Sequence, residues 1–448
     1  MSDTVIQAPP ADVEREPDRD ERAEQIRAVM AKLEMKHARD GSVQGPRRSL
    51  VNLDTIVKDD PWYRRKTKFN GLTEVVEWDG ARLTDEDITR IRLAIARTYG
   101  VEFTAKDVFE VVVETARQRT YHPVARYLER VLWDGVERID RYLVDYIGAD
   151  DNPLNRAISR RWFVGAVARA MGRGLRPVKQ DNVLVLVGAQ GTYKSTSFRA
   201  LAGAEWFADS ALDLRSKDAL VNIRGTFLYE LAELAATRPR DAETVKAFLS
   251  APTDRYRPPY GRTVVESHRQ CVFVGTTNEA SWLSDPTGAR RFHPVEVGRI
   301  DLEAIKRDRD LLWAEAVKLW KGGESWWLTP EEERDLASAQ ERYRHEDPWQ
   351  AAIEQWMEDA PHRTRAAGGL RIADILVDVL DMDVDRQGKQ HEMRLGGVLQ
   401  SMGWSKRRRR RGGQRIWCWY PETSRWTAGP PDPVVEGNGP ASLPDHPF

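Results

Sequence analysis

The chain has 448 residues, enough for about two to three domains with cores of their own. Charged residues make up 31% of it yet cancel to a net −1, which excludes a global basic field for polyanions and leaves charge to act locally. Two cysteines, Cys271 and Cys418, cannot build a disulfide framework or a zinc site, no apolar run approaches the ~20 residues that span a bilayer, and the N-terminus lacks the basic-then-apolar order of a secretion signal; the expectation is a soluble cytoplasmic protein.

Residues 1–49 are polar, proline-containing and mixed in charge, which predicts a flexible leader with one helical patch near 23–36. From 50 to 150 the pattern predicts a helical domain. Ile88, Ile91, Ile95 and Tyr99 recur at helical spacing, and Thr104 is placed to cap a helix carrying Val108, Val111, Val112 and Ala116. His122, just before Pro123, reads as a packing or capping residue. A further apolar helix spans 155–171.

From 151 to 345 strands alternate with helices: 183–187, a short strand at 206–209, 226–231 and 269–276. That alternation predicts an α/β domain with a mainly parallel sheet. After the first strand, Gly188-Ala189-Gln190-Gly191-Thr192-Tyr193-Lys194-Ser195-Thr196 nearly matches the phosphate-binding loop GxxxxGK[S/T]. A loop poor in side chains aims backbone N–H groups at a triphosphate, and the following helix adds its positive end. Lys194 would reach the β and γ phosphates of ATP, and the Ser195 hydroxyl would ligate Mg²⁺. Tyr193 stands where the last glycine belongs. Its Cβ is tolerated if φ there is negative and crowds the phosphates otherwise.

Hydrolysis needs a carboxylate for the metal and a group that orients water. Glu230 ends the buried strand 226–231 and Glu233 follows it; Glu230 suits the Mg²⁺ shell and Glu233 the water, with the reverse assignment open. Asn278, at the tip of the next strand, can sense the γ-phosphate without competing for the metal. Arg290 and Arg291 follow, and either suits a finger placed on a neighbouring subunit's γ-phosphate. Between the acid and the amide lies DRYRPPYGR, a turn signal flanked by arginine and tyrosine. Arg255, Arg257, Tyr260 and Arg262, with Lys246, suit either a hairpin for single-stranded nucleic acid or a subunit contact.

The blocks GAQGTYKST, YELAEL, VKAFLSAPTDRYRPPYGR, FVGTTN and DPTGARRF, in this order, resemble the virulence-associated protein E family across about 121–346. The resemblance implies a superfamily 3-like, AAA+-type P-loop ATPase of phages, plasmids or genomic islands. It also implies a homo-oligomeric, hexameric ring that uses ATP and Mg²⁺ to move along or unwind DNA, with priming supplied by a separate replication protein. A nucleotide-gated regulatory assembly with little turnover is the alternative, and Tyr193 is the argument for it.

Residues 346–425 read as a winged-helix-like domain: helices at 349–357, 370–380 and 392–402, then a strand pair. The basic run Lys406, Arg407, Arg408, Arg409, Arg410 and Arg411 falls at the wing, where Trp404, Trp417 and Trp419 can anchor it and where duplex backbone binding is expected. Residues 426–448 read as a disordered tail.

Overall fold

The computed structural model describes residues 17–172, 177–212, 219–232, 242–256, 264–279, 281–283, 289–343, 347–411 and 414–422. They fall into two units, 1–343 and 344–448.

Part of the expected leader is folded. Asp18 caps helix α1 (Arg19–Met30), and the hairpin β1 (Met35–His37)–β2 (Val43–Pro46) follows it. The reason is Asp60, a fully buried carboxylate that accepts from Arg22 Nη2 at 2.7 Å and from Tyr99 Oη at 2.7 Å. A buried charge needs such partners, so α1 is tied to the domain, and Val29 and Leu33 join its core.

Residues 50–150 are not purely helical. Helices α2 (Leu50–Asp59), α3 (Pro61–Lys66), α4 (Asp85–Tyr99) and α5 (Ala105–Gln118) surround a four-stranded sheet. Its strands are β3 (Thr67–Asn70), β4 (Val75–Trp78), β5 (Ala81–Arg82) and β6 (Thr120–Tyr121), in the order β5-β4-β3-β6. Strands of two to four residues are too short to show alternation, which is why helical periodicity dominates the sequence here. Thr104 caps α5 as expected, and His122 Nδ1 accepts from Ala125 N at 3.1 Å to cap α6 (Pro123–Arg130).

After α7 (Tyr142–Asp145) and α8 (Pro153–Met171) comes a five-stranded parallel sheet. Its strands are β7 (Val183–Val187), β8 (Phe207–Ala208), β9 (Leu228–Ala232), β12 (Val272–Thr277) and β13 (Phe292–Glu296). Their order is β13-β7-β12-β9-β8. Every residue of β7 is buried, as a strand covered on both faces requires. Leu184 and Leu186 pack with Trp162, Phe163 and Phe198 on the side of α8, α9 (Lys194–Ala202) and α12 (Leu302–Lys321). Val183, Val185 and Val187 pack with Val245 and Leu249 of α11 (Ala242–Ser250) on the other. Trp313 Nε1 donates to Leu201 O at 2.9 Å and joins α12 to the end of α9. The short helix α10 (Ala219–Asn222) precedes β9, and α13 (Pro330–Gln340) closes the unit.

Between β9 and β12, β10 (Thr253–Tyr256) pairs antiparallel with β11 (Val265–His268). The second unit holds α14 (Pro348–Trp356), α15 (Ala360–Ala367), α16 (Ile372–Asp378) and α17 (Lys389–Ser401), then the ribbon β14 (Trp404–Arg411)–β15 (Gln414–Pro421). It has one helix more than the sequence pattern showed, the Ala360–Ala367 segment, whose composition is polar.

Candidate nucleotide and nucleic-acid sites

The parallel sheet brings the ends of β7, β9 and β12 to one edge, with β12 in the middle. Leu186 of β7, Thr276 of β12 and Ala232 of β9 share one row of the ladder. Open parallel sheets bind ligands outside such carboxyl ends. The loop 188–193 begins there, and Gly188 N donates to Thr277 O at 3.1 Å, so the loop starts pinned to β12.

Two glycines of the loop have physical reasons. A Cβ on Gly188 would lie 2.6 Å from Val297 Cγ2, and Gly191 has φ +83°. Tyr193 does not keep the negative φ that would make its side chain harmless. It has φ 63° and ψ 24°, the left-handed region, immediately before α9. The ring is 61% exposed, so it projects to solvent and packs little. A non-glycine residue held there costs about 1–2 kcal/mol.

Lys194 Nζ donates to Gly188 O and Ala189 O, each at 2.7 Å, and to Thr192 Oγ1 at 3.3 Å. Thr192 Oγ1 in turn donates to Ala189 O at 2.9 Å. Burial lowers the Lys194 pKa below the ordinary lysine value, and the nearby Glu230 charge opposes that shift. Gln190 is exposed at the crown of the loop, and Thr196 lies in the first turn of α9.

Ser195 and Glu230 meet. Ser195 Oγ donates to Glu230 Oε1 at 2.7 Å, and Thr276 Oγ1 donates to the same oxygen at 2.5 Å. Glu230 is 1% exposed, and among the described residues its Oε2 has no hydrogen-bond partner. A buried carboxylate oxygen without a donor calls for a cation or an ordered water. Together with a serine hydroxyl at a helix start, this donor set fits Mg²⁺, a hard ion that prefers oxygen ligands. Thr276 is the residue sequence reasoning passed over, although it lies inside the FVGTTN block.

Asn278 is exposed just beyond β12, next to the start of the loop. Glu233 lies outside the described residues. The two arginines part company: Arg291 Nε donates to Ser250 Oγ at 2.8 Å and lies 3.4 Å from Asp181 Oδ2, whereas Arg290 is exposed.

The expected strand pair exists as β10–β11, and Arg257, Tyr260 and Arg262 lie outside the described residues. Arg255 is exposed and faces Glu266 across the ladder. Asp254 is buried and takes Arg269 Nε at 3.1 Å, so it is a structural acid. Lys246 is half-buried on α11 and engaged. The root of the hairpin is clamped by Glu74, which has φ 55°. Its carboxylate accepts from Arg224 Nη2 at 2.7 Å, from Tyr256 Oη at 2.8 Å and from Ser267 Oγ.

In the second unit the basic run is a strand. Trp404 and Trp419 are buried in the helical core, but Trp417 is 49% exposed and lies outside it. Arg407 pairs with Glu422, and Arg409 donates to Gly368 O.

Residues 128–345 match the profile of the virulence-associated protein E-like domain. That segment is a virulence-associated protein E-like domain. The VapE-like segment runs from α6 to the end of the first unit and so contains the loop, the acid strand, the hairpin and the arginines. Among solved structures, the apo NrS-1 C-terminal region is similar at 11% identity and a TM-score of 0.45, covering 83% of this chain and 99% of that one. An A-form apo structure of the same region gives 13% identity and a TM-score of 0.39, covering 66% and 78%. No curated protein matches the chain. Among the described residues, no helix is long and apolar enough to cross a membrane.

Proposed function

We propose that the VapE-like domain is an AAA+-like P-loop ATPase that drives movement along, or unwinding of, DNA, with hydrolysis at subunit interfaces of a hexameric ring. The observation that carries this is the meeting of Ser195 Oγ and Thr276 Oγ1 on Glu230 Oε1, beside Lys194 and with Glu230 Oε2 left for a cation. A buried strand acid within hydrogen-bonding reach of a phosphate-loop serine is what metal-assisted phosphoryl transfer asks for.

In this reading Lys194 exchanges Gly188 O and Ala189 O for β- and γ-phosphate oxygens when ATP binds. Ser195 and Glu230 hold Mg²⁺, which when bound neutralises charge building on those oxygens. Asn278 would hold the attacking water, and Glu233 would take its proton as the water oxygen bonds to the γ-phosphorus and the bond from that phosphorus to the β–γ bridging oxygen breaks, releasing ADP. Arg290, exposed, serves as the finger on a neighbour's γ-phosphate, while Arg291 braces its own subunit. The hairpin passes the change to DNA through its tip. A separate protein supplies priming.

The test is ATP hydrolysis with and without single-stranded DNA. DNA-stimulated turnover that disappears in Lys194→Ala is expected; nucleotide binding without turnover would overturn the motor. The left-handed Tyr193 is the one observation favouring that second outcome, a nucleotide-gated regulatory assembly with little hydrolysis.

A further inference from the structure

The ribbon β14–β15 has two unlike faces. Residues directly opposite in an antiparallel pair share a face. One face therefore carries Ser405 with Tyr420, Arg407 with Cys418, and Arg409 with Ile416. Its cations are engaged by the protein itself: Arg407 with Glu422 and the Tyr420 ring, Arg409 with Gly368 O. The other face carries Trp404 with Pro421, Lys406 with Trp419, Arg408 with Trp417, and Arg410 with Arg415.

That second face runs from inside the core to outside it. Trp404 and Trp419, at its root, are buried with Leu395 and Leu399, while Trp417, one step further out, is 49% exposed. Lys406 Nζ lies 5.3 Å and the Arg408 guanidinium 4.7 Å from the centre of the Trp417 ring. Among the described residues, neither Arg408 nor Arg410 has an acidic partner in an ion pair. A large, half-exposed ring outside the core, with a lysine and an arginine of the neighbouring strand beside it, is the combination that holds unpaired bases. The ring stacks on a base's face, and the cations meet the phosphates that flank it. A duplex backbone offers phosphates but no open base face, so Trp417 would be idle against it.

We infer that the Lys406–Arg408–Trp417 face of the wing binds single-stranded DNA by base stacking on Trp417. Arg407 and Arg409, by contrast, hold the ribbon to its own domain. The choice of DNA as the polymer rests on the motor reading; the stacking does not. This narrows the six-residue basic run to three cations and one ring, and changes its substrate from duplex to unpaired strand.

The test uses the full chain without nucleotide and a labelled oligothymidylate of about 16 nucleotides. Trp417→Ala should weaken its binding about 10-fold with the salt dependence unchanged, while Trp417→Phe should stay within about 3-fold of wild type. Arg408→Ala should lower the salt slope by about 0.7. Blunt duplex binding should be the same in Trp417→Ala and wild type, and a photoactivated thymine analogue should crosslink to the peptide holding Trp417. Equal losses for duplex and single strand, no loss in Trp417→Ala, or a crosslink map lacking that peptide would each overturn the proposal. Polyglutamate binding lost to the same degree would also overturn it, by making this an acidic-peptide site. ATP hydrolysis measured on the same preparations separates the two readings. Stimulated turnover with Trp417-independent binding sinks only this inference, whereas Trp417-dependent binding without turnover sinks only the motor.

Discussion

Arg291 Nε lies 3.4 Å from Asp181 Oδ2, and both side chains are largely out of solvent, while the adjacent Arg290 is exposed. Two arginines in sequence therefore have different physical fates. Removing one partner of a mostly buried pair leaves the other charge uncompensated. Arg291→Ala should lower unfolding stability by about 3 kcal/mol in denaturant titrations. Arg290→Ala should stay within about 0.5 kcal/mol of wild type. It should nevertheless abolish stimulated ATP hydrolysis. Mixed with Lys194→Ala subunits it should recover part of that activity, because the finger and the lysine come from different protomers; no recovery would place Arg290 outside the neighbouring site.

Glu230→Gln keeps the volume of the side chain and its acceptor for Ser195 and Thr276 but removes the charge that favours a cation. Hydrolysis should fall about 100-fold or more with the fold intact. Phosphate release and a thermal melt, taken together, check this. A melt lowered as much as in a core variant would instead make Glu230 a structural acid.

At position 193 the decisive comparison is between glycine and alanine. Glycine relieves the left-handed backbone, and alanine keeps the strain while removing the ring. Tyr193→Gly should be more stable than Tyr193→Ala by about 1 kcal/mol. If the ring hinders the triphosphate, both variants should raise turnover; if the exposed ring is a bystander, neither should.

His293 is the second residue of β13 and is buried. Burial pushes its imidazole down to about 4, opposed by a backbone hydrogen bond at Arg290. A depressed pKa means that the unfolded chain takes up the proton first. The stabilising contribution is complete above about pH 6.5 and is lost as pH falls toward 4, by up to about 3 kcal/mol. His293→Leu should flatten the acid limb of stability between those limits relative to wild type. Parallel limbs in both proteins would show that carboxylates alone set it.

Glu74 gathers donors from three segments at the root of the hairpin. Glu74→Ala should leave the largely buried Arg224 without its partly buried acid and cost about 2–3 kcal/mol. It should also reduce DNA-stimulated hydrolysis more than basal hydrolysis, since the hairpin loses its footing and the phosphate loop does not. Equal reduction of both rates would argue that the clamp only serves folding.

Much of the site was legible in the chain because its chemistry restricts residue type locally. Val183–Val187, the glycines at 188 and 191, and the Lys-Ser pair announce themselves within fourteen residues of sequence. The strand pair β10–β11 was legible from Pro-Pro-Tyr-Gly, and the ribbon β14–β15 from three apolar helices before a strand pair. What escaped depends on contacts distant in sequence. Glu74 meets its partners across 150, 182 and 193 residues, and no local pattern marks it. Strand β13 was hidden by Pro294 in its middle, tolerated because β13 is the sheet's edge. Of the leader only a helical patch was legible; its attachment depends on contacts distant in sequence, among them Arg22 on the buried Asp60 and Val29 and Leu33 in the core. The exposure of Trp417 needed the register of the ribbon, since Trp404, Trp417 and Trp419 look alike in sequence.

The bond from Gly188 N to Thr277 O has a mechanical meaning. It splices the first residue of the glycine-rich loop to the last residue of β12, just before Asn278. A shift in either would strain the other within a single peptide unit. Under the proposed ATPase reading, holding the triphosphate and detecting its third phosphate would thus be one rigid motion, and a mutation that loosened that splice would blunt both at once.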